Sequence, residues 1–237
     1  MTAAVNVARI FRREFRHYFV TPIAYIVISI FLVITGWFFF STFFLYNQAE
    51  LRNFFSLLPI IFAFIIPTIT MRLFSEEYNV GSYETLVTLP VTFGEVIAGK
   101  FLAAAAFTAV MLLPTVSYAI SISLLGDLDW GPVVGGYIGA FLLGAAFCGV
   151  GLFASSLTKN QIIAFIIAMI ICFALVMVDK VLFFLPESML GFFQYLGADH
   201  HFQNIARGIL DSRDILYFLS AIFIALFATD LVVQEKK

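Results

Sequence analysis

Six apolar runs, most of them about twenty residues long, constrain this chain more than any other feature of its sequence. A helix needs about twenty consecutive apolar residues to cross the hydrocarbon core of a bilayer. The chain is 62% hydrophobic and 12% charged, whereas a soluble domain is about 45–50% apolar and about 25% charged. The excess of apolar surface predicts an all-α polytopic membrane protein, with one transmembrane domain over residues 1–237. The predicted spans cover residues 22–45, 55–71, 96–125, 133–157, 162–184 and 215–233.

Local signals predict how three of these spans begin or bend. Thr21 precedes Pro22 and is expected to cap the first span, with the proline in its first turn. Pro114 predicts a bend within the third span. The segment from Thr158 to Gln161 has the form of a capping box and is expected to open the fifth span.

The distribution of lysine and arginine predicts the orientation of the spans. Six spans place both termini on one side, and cationic residues concentrate on the cytosolic side of membrane proteins. If the N-terminus is cytosolic, nine cationic residues lie inside and four outside. The inside then holds Arg9, Arg12, Arg13, Arg16, Arg72, Lys100, Lys159, Lys236 and Lys237, and the outside holds Arg52, Lys180, Arg207 and Arg213. We therefore expect both termini to be cytosolic.

The N-terminal segment, residues 5–19, has the pattern of an amphipathic helix. At helical pitch its four arginines share one arc, and apolar side chains occupy the opposite arc. This pattern predicts an interfacial helix with its basic face towards anionic lipid headgroups or a partner protein. The alternative is a topology signal with no structure of its own. The four arginines are Arg9, Arg12, Arg13 and Arg16.

A polar insert over residues 72–95 separates the second and third spans and is expected to be cytosolic. Its residues are typical of helix ends: Gly81 suits a left-handed C-cap, and Thr92 with Glu95 forms a capping box. Between them, Ser82 is expected to cap a short helix that Pro90 ends. The insert therefore predicts two short helices between the spans, although an ordinary surface loop is the alternative.

The fourth span carries small residues at four-residue spacing, including Gly135 and Gly139, which favour close helix packing within the chain over a dimer face.

Residues 185–214 mix apolar and polar side chains and predict a re-entrant hairpin in the outer leaflet. The candidate residues of an outer gate in this segment are Asp199, His200, His201, Asn204 and Arg207.

The sequence also excludes several classes of protein. It contains no nucleophile elbow, no zinc-protease motif and no phosphate-binding loop, so no catalytic or metal-binding residues are predicted. Adjacent histidines point about 100° apart on a helix, which disfavours a metal-ligand pair at His200 and His201. A net charge of −2 disfavours a nucleic-acid partner. The scarcity of charges at the span centres disfavours an ion-coupled carrier or a channel.

The polar insert and its flanks resemble the ABC-2 type permeases, the membrane subunits of one class of ATP-driven exporter. The matching motifs are Glu76-Glu77, Gly81-Ser82-x-Glu84-x-Leu86, Leu89-Pro90-Val91 and Gly99-Lys100. Within that family, the chain is similar to the gliding-motility-associated (GldF-like) permeases and, more distantly, to the nitrous-oxide-maturation (NosY-like) permeases. Residues 201–218 resemble the same subfamily.

This resemblance implies a half-transporter in a bacterial cytoplasmic (inner) membrane. A second permease copy or paralogue and two copies of a separate ABC ATPase subunit would complete it, and an auxiliary extracytoplasmic protein is a further possible partner. The chain itself would hold no cofactor, since ATP and magnesium would bind the ATPase. The insert would supply the helix that couples to the ATPase, and residues 5–19 would be the connecting helix. The implied coupling residues are Glu76, Glu77, Gly81, Ser82, Glu84, Leu86 and Pro90.

Two other functions stay open at this point. The chain is alternatively a non-transporting membrane anchor that docks an ATPase within a motility or envelope machine. A secondary carrier is less favoured, because mid-membrane charges are scarce.

Overall fold

The computed structural model describes residues 3–46, 51–81, 91–126, 128–181, 195–209 and 211–236, and these residues are almost entirely helical, with no strand among them. The helices are α1 (Ala3–Val20), α2 (Ile23–Tyr46), α3 (Arg52–Thr70), α4 (Arg72–Val80), α5 (Phe93–Leu112), α6 (Val116–Leu125), α7 (Trp130–Leu157), α8 (Gln161–Val181), α9 (Ala198–Ala206) and α10 (Ser212–Glu235).

Six helical segments are long and apolar enough to cross a membrane, so the predicted number of spans is confirmed. Two of them join two helices each, because α4 continues α3 through Met71 and α6 continues α5 through a 3₁₀ turn. The candidate spans are Ile23–Ser41, Arg52–Val80, Phe93–Leu125, Trp130–Leu157, Gln161–Lys180 and Ser212–Glu235.

Several local predictions are confirmed because they depend only on neighbouring residues. The Thr92 hydroxyl accepts a hydrogen bond from the Glu95 N–H at 3.3 Å, and the Glu95 carboxylate accepts one from the Thr92 N–H at 3.0 Å. Gly81 ends α4 with a φ of 77°, in the left-handed region that favours glycine. The third span changes to a 3₁₀ turn at Leu113–Thr115, which contains Pro114, and the bend itself stays a prediction.

Two other local predictions need correction. The Thr21 hydroxyl donates to the carbonyls of His17 and Tyr18 at 3.1 Å each, so it serves the end of α1 rather than the start of α2. The predicted capping box at Thr158 is wrong, because α8 begins only at Gln161. Asn160 occupies the N-cap instead and accepts from the Ile162 N–H at 2.9 Å, and asparagine is among the strongest N-cap residues.

Helix α7 lies at the centre of the bundle, and its small residues allow close approach of its neighbours. A methyl group added at Gly144 would lie 2.6 Å from the Thr108 Cγ2 of α5, and one added at Gly149 would lie 3.2 Å from the Ala225 Cβ of α10. The small-residue stripe therefore packs against helices of its own chain, as the sequence predicted.

The bundle has two distinct ends. At one end, the Lys236 ammonium after α10 donates to the Ser156 carbonyl of α7 at 2.6 Å and lies 4.5 Å from the centre of the Tyr78 ring in α4. At the other end, the first residues of α7 contact α9, where Gly135 meets the Ile205 carbonyl. Helix α1 lies at the same end of the bundle as α4, since Arg13 of α1 is 3.5 Å from the Glu77 carboxylate of α4. The first and last described helices therefore both reach the end of the bundle that contains α4.

We predict that Gly135→Ala destabilises the fold, whereas Gly94→Ala does not. The added methyl group at Gly135 would overlap the Ile205 carbonyl oxygen, which belongs to the backbone and cannot rotate away. Overpacking of this kind costs about 1–3 kcal/mol. Gly94 has open space around its Cβ position, so it is the matched control. Thermal unfolding in detergent measures the difference, and equal midpoints for the two variants would contradict the close packing of α7 on α9.

Candidate functional site

A buried lysine organises the junction of α1, α4 and α5. The Lys100 side chain is 1% exposed and lies near the start of α5. Its ammonium donates to the Glu77 carboxylate at 2.8 Å, to the Glu14 carboxylate at 3.3 Å and to the Leu73 carbonyl at 2.7 Å. These three acceptors match the three N–H groups of an ammonium. The buried charge is thus paired through residues from all three helices.

An arginine on the surface extends this ionic network. Arg13 lies 2.6 Å from the Glu14 carboxylate and 3.5 Å from the Glu77 carboxylate. Burial alone would raise the pKa of Glu14, but the charges of Lys100 and Arg13 outweigh it and hold that pKa below its usual value. The stabilisation from Glu14 is therefore present above its ordinary pKa and is lost as the pH falls through the lowered one.

The apolar face of α1 packs on α5. Ile10 contacts α5 where Gly99 has no side chain, and the Tyr18 ring lies 4.9 Å from the Phe107 ring. At the start of both helices, the Asn6 side-chain amide donates to the Glu95 carboxylate at 3.1 Å. Helix α1 is therefore fixed to the body of the protein along its length. Its opposite face exposes Arg9, Arg12, Arg13 and Arg16.

Helices α1 and α4 enclose a basic groove with a volume of about 890 Å³. We call this space the α1–α4 groove. Its charged lining consists of Arg9, Arg12, Arg13, Glu14, Arg16, Arg72, Glu76, Glu77 and Lys100.

The structure describes only some of the residues that were predicted to couple to the ATPase. Glu76 is partly exposed, whereas Glu77 is turned towards Lys100 and Arg13 inside the chain. Gly81 is exposed at the end of α4. The remaining predicted residues lie outside the described residues, and they are Ser82, Glu84, Leu86 and Pro90.

Sequence reasoning missed three residues of the junction. It treated Lys100 and Arg72 as cytosolic charges and gave Glu14 no role, yet Lys100 and Arg72 are buried and Glu14 joins the ionic network. Two signals were available: Lys100 interrupts an apolar helix, and Glu14 is the one acidic residue among the arginines of α1.

At the opposite end, the candidate gate residues separate into paired and exposed groups. Asp199 forms an ion pair with Lys180 at 2.9 Å, and the His201 ring lies 2.6 Å from the Asp214 carboxylate. The backbone N–H of His200 donates to the Asp179 carboxylate at 2.5 Å. These contacts join α9 to α8 and α10.

The other two gate candidates are more accessible. Arg207 is exposed at the end of α9, and Asn204 is partly exposed. Asn204 lines a shallow cavity of about 340 Å³ together with His200 and His201. Within the described residues, no group of three histidine, cysteine or acidic side chains is arranged to hold a metal ion.

Six apolar spans, one of which is the small-residue central helix α7, define a polytopic helical membrane protein. The family described as "ABC-2 family transporter protein" matches residues 8–195, which is most of the chain. The chain therefore belongs to the ABC-2 family and is a permease subunit of an ABC transporter, a membrane transport component. Permeases of this family work with an ABC ATPase. No curated protein matches the chain significantly.

We predict that Lys100→Met strongly destabilises the permease. Removal of one member of a buried ionic group leaves the others unpaired, at a cost of about 3–5 kcal/mol. Thermal unfolding of the purified protein measures the loss, and the exposed Lys159→Met is the matched control. Adding Glu77→Gln to Lys100→Met is expected to recover part of the stability, because it removes an unpaired carboxylate. A Lys100→Met variant as stable as the control would contradict the network.

Proposed function

We propose that the chain is one half of an ABC exporter of the GldF-like subfamily, with NosY-like permeases as more distant relatives. Two permeases, identical or not, pair to form the translocation pathway and bind two ATPase subunits. ATP and magnesium bind the ATPases, and the permease holds no cofactor. An auxiliary extracytoplasmic protein extends the pathway on the far side. The family membership and the motifs of residues 76–100 support this proposal.

One observation carries the coupling step. Glu77 of α4 and Glu14 of α1 share the buried ammonium of Lys100 in α5. A displacement of α4 by a docked ATPase therefore moves α1 and the third span with it, because separating them would leave charges unpaired in a low-dielectric site. We assign ATPase docking to the coupling region, residues 72–95, and propose that Glu76 reaches the ATPase directly.

The charge distribution supports a cytosolic position for this end of the bundle. Arg72, Lys100 and Lys236 lie at the end that contains α1, and Lys180 and Arg213 lie at the other. By the positive-inside rule, α1 then lies at the cytosolic interface of the bacterial inner membrane, and both termini are cytosolic. Helix α9 is assigned to the outer gate as part of a re-entrant segment.

We predict opposite labelling of two single-cysteine positions by a membrane-impermeant maleimide. Asn79 and Arg213 are both exposed and lie at opposite ends of the bundle. Asn79→Cys is expected to react only in inverted vesicles and Arg213→Cys only in spheroplasts. Both native cysteines are buried, so the protein without the added cysteine is the control. The reverse labelling pattern would contradict the proposed orientation.

We predict that Glu76→Lys weakens ATPase association about tenfold while the permease stays folded. Loss of a charged contact typically costs about 1.5–3 kcal/mol. Co-purification with the ATPase and ATP-driven transport in liposomes measure the effect. Glu235→Lys, at the exposed last residue of α10, is the matched control. Glu77 is not suitable as a probe, because its reversal also breaks the internal network.

Normal association and transport in Glu76→Lys would remove that residue from the docking surface. The liposome assay also separates export from the anchor alternative. An exporter shows ATPase activity that rises with the transported substrate, whereas an anchor shows ATPase activity that does not respond to any substrate.

A further inference from the structure

Arg72 is a buried arginine that takes no part in the ion pairs of Lys100 within the described residues. Its side chain is 8% exposed, and its Nη2 makes no hydrogen bond within the described part of the chain. The guanidinium lies 5.0 Å from the centre of the Tyr18 ring, which contributes a cation–π contact but accepts no conventional hydrogen bond. A buried charged donor without an acceptor is costly. This arrangement indicates an anionic ligand at Arg72.

The neighbouring carboxylates do not supply that acceptor. The Oε1 atoms of Glu14 and Glu77 bind Lys100 and Arg13. Glu77 Oε2 is buried without a hydrogen-bond partner among the described residues, and it forms no ion pair with Arg72 there. Glu76 is one helical turn from Arg72, yet no ion pair joins the two among the described residues. The α1–α4 groove contains six lysine and arginine side chains against three carboxylates, so its net charge favours an anion.

The position of the groove indicates what kind of anion binds. Tyr18 donates to the Ile69 carbonyl at 3.4 Å, next to the end of α3 at Thr70, and the first span begins at Ile23. Next to this end of α1, the apolar side chains of Val20 and Tyr25 are 70% and 60% exposed. The groove thus lies beside the boundary where apolar span surface begins, which is the depth of phospholipid phosphates.

We propose that the α1–α4 groove is a specific site for the phosphate of an anionic phospholipid, with Arg72 as its central ligand. The planar guanidinium matches two phosphate oxygens at once. Arg16, exposed on α1 and lining the same groove, supplies a second charge. The acyl chains lie along the exposed apolar surface at Val20 and Tyr25. This site rests on the proposed interfacial position of α1 and adds one defined lipid to it.

The test counts lipids retained by the purified permease alone. Wild-type protein and three variants are equilibrated in nanodiscs of phosphatidylcholine with a minor fraction of phosphatidylglycerol, and retained lipid is counted by native mass spectrometry. Arg72→Gln removes the central ligand, and Arg16→Gln removes an exposed one without disturbing the core. Arg52→Gln is the matched control, because Arg52 is an exposed arginine at the other end of the same span. Inorganic phosphate is added in a parallel arm.

We expect the wild type and Arg52→Gln to retain phosphatidylglycerol in preference to phosphatidylcholine. Arg72→Gln should weaken this retention about tenfold or more, as expected for loss of a charge-assisted hydrogen bond. Arg16→Gln should weaken it less. Because Arg16 is exposed, its effect stands even if Arg72→Gln folds poorly. Inorganic phosphate should neither displace the lipid nor raise the melting temperature.

Three outcomes would overturn the proposal. Equal retention in Arg72→Gln, Arg16→Gln and Arg52→Gln would show that the groove holds no specific lipid. Displacement by inorganic phosphate would assign the site to a free oxyanion. Equal retention of phosphatidylglycerol and phosphatidylcholine by the wild type would show that the groove does not select an anionic lipid. The lipid count needs no ATPase, so its failure is distinct from failure of the exporter proposal.

Discussion

The buried ammonium of Lys100 is the constraint that holds α1, α4 and α5 together. A charge that is 1% exposed needs partners, and its partners come from two other elements, Glu14 in α1 and Glu77 in α4. Neither helix can leave α5 without breaking an ion pair to Lys100. Three segments that the sequence presents as an amphipathic helix, a polar insert and an apolar span are thereby joined at one ammonium group.

Close packing of α7 connects this unit to the rest of the bundle. Its small residues bring the backbones of α3, α5 and α10 near enough for extensive dispersion contact, which replaces the hydrophobic effect as the main attraction between helices in lipid. Lys236 adds a polar contact between α10, α7 and α4. Polar contacts therefore connect α4 both to α1 and to the last span.

The two ends of the bundle use charge differently. The ionic network at α1 lies beside a groove with excess positive charge, where Arg72 Nη2 has no hydrogen-bond acceptor among the described residues. At the other end, His201 with Asp214 and Lys180 with Asp199 form compact pairs that fix α9 to its neighbours. The first arrangement leaves capacity for an external anion, and the second is largely satisfied within the chain. This asymmetry is what the proposed division into a coupling end and an outer gate requires.

The sequence by itself determined the helical class, the six spans, the capping box at Thr92 and the left-handed glycine at residue 81, because hydropathy and capping depend on residues close in the chain. Only the tertiary structure decided which charges meet. Lys100 pairs with residues 86 and 23 positions away. Hydrophobic periodicity predicts which face of a helix is buried, but it does not predict which other helix packs against that face. The same limit explains why the ion pair of Glu77 with Lys100 could not be predicted from the sequence, and the coupling role of Glu77 stays a prediction. Folding alone placed Arg72 beside Tyr18, where its Nη2 finds no hydrogen-bond acceptor in the described part of the chain.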